Sequence, residues 1–398
     1  MHAWPMVLHR LALVGLLAAA APAGSALAQD APREHIGPFA DIDWSLGLRG
    51  SYAANSSTGG AAELQVLPEL SWSRQGGSTK SMIGAGGQFA ISPAGAINID
   101  DAHGSLEGQW MLGPETTLKG SSALTFDQLR ATNSSLPATT TIGPTELTGT
   151  VNGSAEQDFA HVRVTGRLGG TRYIEGETTL SGGATVSNAE NSYWQGAAGL
   201  RLGYDLGPLI TVFVDGDAKY TAYDAPSSTL LAYENGRTMT LRAGVSYARD
   251  SRISAELSAG RAWYDYDDPT LTDAPSWVVD GSLTLKPDET LSLTGSVETT
   301  LAPSSLSAGD VDAGLTASGN LRYALNPWVA LRSQASYNRT VALGSGLSTW
   351  GYSAGAGIDL TTSRFATWTG DYSFAHDEPA TGAATDTHTV TVGVTVHR

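Results

Sequence analysis

The stretch Ile42-Asp43-Trp44-Ser45-Leu46-Gly47-Leu48-Arg49-Gly50-Ser51-Tyr52 places a large apolar side chain at nearly every second position, with small or polar residues between. Successive side chains of an extended chain point to opposite faces, so this stretch predicts a strand with one apolar and one polar face. The same period recurs to the far end. Val390, Val392, Val394 and Val396 alternate with Thr389, Thr391, Gly393 and Thr395, and in the middle Met239, Leu241, Ala243, Val245 and Tyr247 oppose Thr240, Arg242, Gly244 and Ser246.

Working outward, about eighteen such segments can be bounded: 41–53, 61–74, 79–91, 102–112, 115–127, 145–157, 159–173, 191–206, 208–222, 236–249, 251–265, 276–286, 289–300, 311–324, 328–340, 348–360, 364–376 and 386–397. Most exceed the usual strand length of ~5–6 residues and reach the ~9–11 that a tilted transmembrane strand requires. Between Ile91 and Asp101 the alternation falters, which leaves sixteen strands as the alternative count.

The connections are alternately short and long. The short ones are Gly113-Pro114, Gln157-Asp158, Gly207-Pro208, Asp250-Ser251, Pro287-Asp288, Asn326-Pro327 and Thr361–Ser363, mostly turn formers. The long ones are Gln128–Pro144, Ile174–Glu190, Tyr223–Asn235, Tyr266–Pro275, Leu301–Asp310 and Asp377–Thr385. Short periplasmic turns and longer extracellular loops mark transmembrane barrels. An even count places both termini on the periplasmic side. Aromatic residues fall near both sets of strand ends: Tyr204, Tyr247, Tyr323, Trp328 and Phe365 by short turns, and Tyr193, Trp194, Tyr223, Tyr264, Trp277, Tyr337, Trp350 and Tyr352 by long loops. These predict two interfacial girdles.

The N-terminus reads as a secretion signal. Arg10 precedes the apolar run Leu11–Ala23, and Ala26-Leu27-Ala28 supplies a small-residue cleavage box. Residues 1–28 are therefore the expected signal peptide, 29–40 a short periplasmic extension and 41–398 the barrel. After the signal no apolar run approaches the ~20 residues of a spanning helix. With unpaired backbone excluded from lipid, a closed barrel is the remaining way to span a membrane. Soluble sandwiches and propellers also alternate, but charges recur at mid-strand on the polar face and the apolar face is similar in every strand. The fold class expected is all-β, an antiparallel up-and-down transmembrane barrel.

The chain has 23 basic and 39 acidic residues, a net charge of −16, and no cysteine. An acidic chain lacks the basic footprint that nucleic acid needs. Without thiols there is no disulfide framework and no thiolate metal site.

The stretch Ala243–Pro269 (AGVSYARDSRISAELSAGRAWYDYDDP) resembles the β-barrel porin family of proteobacterial outer membranes, in which a strand ending in an Arg-Asp turn is followed by one leading into a Tyr-Asp-rich loop. Leu64–Arg74 (LQVLPELSWSR) is similar to the N-terminal region of that family. The resemblance implies a barrel in the cell outer membrane, with some members accompanying exopolysaccharide export, and it implies no substrate or catalytic residue. One departure is the ending Val394-Thr395-Val396-His397-Arg398, where outer-membrane barrels commonly carry a terminal aromatic.

Chemistry-bearing motifs are few. Gly351-Tyr352-Ser353-Ala354-Gly355 matches G-x-S-x-G but lies inside an alternating strand, without the strand–turn–helix elbow the motif needs. The mature histidines His35, His103, His161, His376, His388 and His397 show no ligand spacing. The acidic loop Asp265, Asp267, Asp268 and Asp273 lacks the full EF-hand pattern and reads as solvated. No catalytic residue, metal or cofactor is expected.

The functional candidates are the charges on the polar face: Arg49, Arg163, Arg167, Arg201, Asp215, Asp217, Arg242, Asp280, Asp312, Arg322, Arg332 and Asp359. Barrels of ~16–18 strands leave an aqueous channel, and lumen charge biases which solutes pass. Equally, opposite charges on neighbouring strands stabilise a sheet. The expected function is a porin-like channel for small polar solutes or saccharides. The alternative is a plugged barrel serving as adhesin, scaffold or accessory to exopolysaccharide export, with Gln128–Pro144 the longest candidate plug. Expected partners are outer-membrane lipid and lipopolysaccharide, the barrel-assembly machinery and, in the export reading, polysaccharide export components.

Overall fold

The computed structural model describes residues 41–56, 59–92, 97–130, 136, 139–249 and 252–398. The expected signal and N-terminal extension lie outside the described residues. In chain order the strands are β1 (Asp41–Asn55), β2 (Gly59–Gln75), β3 (Thr79–Ile91), β4 (Ile97–Met111), β5 (Thr116–Gln128), β6 (Thr140–Ile142), β7 (Thr145–Phe159), β8 (Val162–Glu175), β9 (Thr178–Leu180), β10 (Thr185–Val186), β11 (Tyr193–Asp205), β12 (Ile210–Tyr223), β13 (Gly236–Arg249), β14 (Ile253–Tyr266), β15 (Ala274–Leu285), β16 (Leu291–Pro303), β17 (Val311–Asn326), β18 (Val329–Ala342), β19 (Ser348–Ser363), β20 (Ala366–Glu378) and β21 (Thr385–His397).

All but β6, β9 and β10 belong to one 18-stranded sheet. Each of its strands pairs antiparallel with the next along the chain, and β21 returns to β1 from Ser45↔His397 to Asn55↔Thr387. The sheet is closed, so it has no free edge strand to meet lipid. The non-aromatic C-terminus is paired into the wall like any other strand, with the Arg398 N–H donating to the Trp44 carbonyl at 3.1 Å.

The eighteen expected segments are the eighteen barrel strands, with three local corrections. β4 begins at Ile97 rather than at 102, because a register shift between Gln88 and Phe89 absorbs the break in alternation. The β7–β8 turn is Ala160-His161 rather than Gln157-Asp158, since Asp158 faces Arg163 across the hairpin and their ion pair extends the ladder. β19 runs to Ser363, so its turn is Arg364-Phe365 rather than Thr361–Ser363.

The two longest loops are not featureless. β6 from the β5–β7 connection pairs with β9 from the β8–β11 connection, and β10 completes a three-stranded sheet at the long-loop end. Nearby loops pack on Tyr264, Tyr266, Leu301 and Val311, an apolar cluster that also takes in Ala262 and Val278, with Leu271 against it. Beneath this cluster β15 and β16 pair only from Asp280↔Glu298 to Leu285↔Leu293, so their upper ends separate.

Around the wall the apolar positions of the alternation are exposed. Trp277 is 72 %, Leu168 70 %, Trp328 66 % and Val151 65 % accessible. A continuous belt of this kind has no counterpart on soluble monomers, whose exposed apolar patches stay small. It is a surface made for hydrocarbon.

Candidate functional site

Which face is the inside follows from reach. Arg201 on β11 makes two hydrogen bonds to Glu256 on β14, 3.0 and 2.7 Å, passing over β12 and β13. Arg167 on β8 likewise reaches Asp215 on β12. Side chains of non-adjacent strands converge only on the concave side of a curved sheet, so the charged face is the inner wall.

The wall carries a ladder of alternating charge. Arg167 donates to Asp215 at 3.1 and 2.6 Å and to Asp217 at 2.8 Å. Arg201 donates to Asp215 Oδ2, which it shares with Arg167, at 2.8 Å, and its guanidinium lies 4.0 Å from the Phe213 ring centre. Arg242 donates to Asp217 at 2.9 Å and stands 3.4 Å from Asp280. Asp215 is fully buried among these cations. Glycine makes the arrangement flat. A Cβ at Gly199 would fall on the Asp217 carboxylate and within 3.0 Å of Arg167, so the missing side chain is the space in which the pair lies against the wall.

A second group spans β17 to β20. Arg332 donates to Asp359 at 2.8 Å and contacts Asp371 at 2.8 Å. Arg322 is the direct cross-strand partner of Arg332. Arg49, on β1, alternates with outward Leu48 and so joins the same inner face. Asp371 again occupies space left by a glycine, Gly357.

The remaining two candidates play local parts. Arg163 binds Asp158 at 2.7 Å beside its own turn. Asp312 is turned into the β16–β17 loop, where it accepts from the Ser304 hydroxyl at 2.5 Å and from the Ser305 N–H at 2.8 Å. It is 4 % exposed, so it caps a loop and presents no charge to the lumen.

Sequence reading missed Glu256, Asp371 and an acidic sector. Their signal was the same alternation, since each falls on the polar face of its strand. In the acidic sector, Arg130 crosses from the base of the β5–β7 loop to Glu63 on β2 and Asp100 on β4, the latter at 2.6 Å. His103 contacts Asp101 at 2.5 Å and Glu69 at 3.5 Å. Between this sector and the ladder a cavity of about 680 Å³ is lined by Lys80, Glu107, Lys119, Asn152 and Arg167.

The other motifs resolve simply. Ser353 sits mid-strand on β19 with its hydroxyl 2.7 Å from that of Ser336, apart from any base. In the acidic loop Asp265 pairs with Arg237, Asp267 accepts from Tyr220 and Asp273 from the Tyr266 N–H. The hydroxyl and N–H of Thr270 both donate to Asp268 and hold its carboxyl below the ordinary range. Among the described residues no group of three His, Asp or Glu side chains could hold a metal ion. The girdles are made by Trp194, Tyr204, Trp277, Tyr323, Trp328, Tyr337, Tyr352 and Phe365, all exposed. Tyr193, Tyr223 and Tyr264, expected there, fall on the inner parity. Tyr193 packs between Tyr173 and Tyr223 with ring centres 5.4 and 5.6 Å away, and Tyr264 is 1 % exposed.

The family model described as "Putative beta-barrel porin 2" matches residues 53–398. The chain belongs to this porin family. It is an outer-membrane β-barrel, porin-like in family and fold. No curated protein matches it significantly in sequence. Among solved structures, a ferric enterobactin receptor mutant of Pseudomonas aeruginosa is 9 % identical, with a TM-score of 0.47, over 90 % of this chain and 80 % of that one. OccK3 of the same organism is 11 % identical, TM-score 0.44, over 90 % and 96 %. A loop-deletion mutant of Vibrio cholerae OmpT is 10 % identical, TM-score 0.35, over 90 % and 99 %. Likeness at this level carries no argument about function.

Proposed function

We propose that this barrel is a passive channel for small polar solutes or saccharides, with the inner charge ladder acting as its selectivity element. Eighteen strands spaced ~4.8 Å apart and tilted ~40° close a backbone cylinder about 36 Å across. The observation that carries the reading is the flatness of the ladder. Arg167 and Asp217 lie flat against the wall in the space left at Gly199, and Arg201 and Arg242 are tied to Asp215, Glu256 and Asp217 beside them, which supports charges that line the lumen without filling it. Planar guanidinium and carboxylate groups in a row offer donors and acceptors in turn, which suits hydroxyl-rich solutes.

Single-channel recording of the refolded mature chain in a planar bilayer tests this. Stable conductance steps that change with Arg242 or Arg201 substitution are expected. A folded, inserted barrel that passes no current overturns the proposal.

A second reading, a barrel acting through its outer loops as adhesin, scaffold or export accessory, is favoured by the ordered long-loop end. There β6, β9 and β10 form a sheet of their own, and Tyr264 and Tyr266 anchor neighbouring loops. Deleting residues 178–187 leaves conductance intact under the channel reading and removes function under the second.

A further inference from the structure

The outer wall repeats one motif near its long-loop rim. Arg172 on β8 is the cross-strand partner of Trp194 on β11, Arg261 on β14 of Trp277 on β15, and Arg339 on β18 of Trp350 on β19. All three arginines share parity with the exposed apolar residues of their strands, and Arg261 and Arg339 are exposed. The Arg172 and Arg261 guanidinium carbons lie 4.9 and 5.5 Å from the indole centres. Asp224 neutralises Arg172 through two hydrogen bonds of 2.8 and 2.5 Å. Among the described residues, no carboxylate pairs with Arg261 or Arg339.

An unpaired guanidinium on a lipid-facing wall is strongly disfavoured at the membrane midplane and tolerated at the interface. The depths of these residues agree. From Ile253 to Arg261, from Val329 to Arg339 and from Val162 to Arg172 the strands rise about 21–26 Å at ~3.4 Å per residue and ~40° tilt, against an apolar band ~25 Å tall. Each arginine therefore stands at the top of the hydrocarbon, level with the headgroups of the outer leaflet. In a Gram-negative outer membrane that leaflet is phosphorylated glycolipid. A guanidinium binds a phosphate oxygen pair in a planar fork, and tryptophan favours this depth.

We infer that Arg261–Trp277 and Arg339–Trp350 are seats for the phosphate groups of outer-leaflet glycolipid, holding individual lipid molecules on two stretches of the barrel wall four strands apart. Arg172, already paired, is the internal control.

The test is native mass spectrometry of the delipidated, refolded chain, titrated with bisphosphorylated lipid A, with the same lipid after removal of both phosphates, and with inorganic phosphate. Heat-modifiable electrophoretic mobility checks folding of every variant. The expected result is retained adducts of the phosphorylated lipid, weakened at least tenfold in the Arg261→Gln/Arg339→Gln double variant, largely kept in Arg261→Lys/Arg339→Lys, and changed less than twofold in Arg172→Gln. Equal affinity of the double variant and the parent overturns the inference, as does equal affinity for the phosphate-free lipid. Full competition by inorganic phosphate would make these sites for a free anion, and a change of oligomeric state in the double variant would make them a contact between barrels. Either result also overturns it.

Discussion

Arg322 and Arg332 stand directly opposite each other on β17 and β18, two guanidinium groups paired across the inner wall where like charges repel. Asp359, 2 % exposed, and Asp371 are the counter-charges that make this tolerable, each 2.8 Å from Arg332. Replacing Asp359 with Asn is expected to destabilise the barrel by less than the ~3 kcal/mol of a buried ion pair stripped of one partner, because Arg332 keeps Asp371. Arg322→Gln is expected to be neutral or mildly stabilising, because it removes the repulsion. Urea midpoints in lipid vesicles compare the two, and a larger loss in Arg322→Gln than in Asp359→Asn contradicts the account.

The ladder makes a separate prediction about ions. Arg242 stands between Asp217 and Asp280 and is the cation that offsets both. Arg242→Glu leaves three carboxylates in a row, so reversal potentials under a salt gradient are expected to shift toward cations by several-fold in permeability ratio. Arg163→Glu, at the turn, should shift selectivity far less. Equal shifts for the two variants would show that the ladder has no special place in the conduction path.

Gly199 is expected to be intolerant of any side chain. Gly199→Val must displace Asp217 or Arg167 from the wall into the lumen. The expected outcome is a folded barrel with smaller conductance steps. Gly196 lies on the same strand with nothing within 4 Å of an added Cβ, so Gly196→Ala serves as the control and should leave conductance unchanged.

At the rim, pH acts through Asp224, just beyond β12. Two hydrogen bonds from Arg172 hold its carboxyl below the ordinary value of 3.8. A carboxyl lowered in the folded state contributes stability above its unfolded value and loses it as pH falls through the lower folded one. The stability gap between the parent and Asp224→Asn should therefore hold from pH 7 to near 3.8 and close below it. A gap that narrows already at pH 6 would assign the effect to another group.

The loop cluster can be tested by subtraction. Tyr264 is 1 % exposed, and Tyr266 donates to the Asp310 carbonyl at 2.5 Å. Tyr264→Ala should cost about 3 kcal/mol through the cavity it leaves. The loops at 267–273 and 304–310 should then become protease-sensitive while the wall stays intact. Unchanged proteolysis would separate the cluster from loop order.

Strand number and the parity of each strand were legible in the sequence because a period of two is written into every segment, although Glu256 and Asp371, on the same parity, were passed over. Partnership was not. Whether Arg201 meets Asp215 or Glu256 depends on register and curvature, which alternation does not encode. Asp312 shows the limit from the other side: its parity is that of the lumen charges, but two serines in the preceding loop claim it. Tyr264 was misread because proximity to a strand end says nothing of inward or outward, which only its place in the alternation with Leu257 and Trp263 could supply. The Arg–Trp pairs of the outer wall were hidden likewise, each joining residues from two strands whose register had to be known first.

The pairing of β1 with β21 has a bearing on how the molecule comes into being. Trp44 and Arg398, near the two ends of the sequence, are hydrogen-bond neighbours. β1 has no second partner until β21 has been synthesised, so the cylinder cannot close before that strand exists. Until that final strand arrives, an open sheet exposes two unsatisfied margins, and something outside the chain must shield them. Once joined, the seam is no different from any other line in the wall. A version of the protein with its ends linked and a new opening cut at a short turn should therefore reach the same cylinder, with the waiting strand moved to a different place in the sequence.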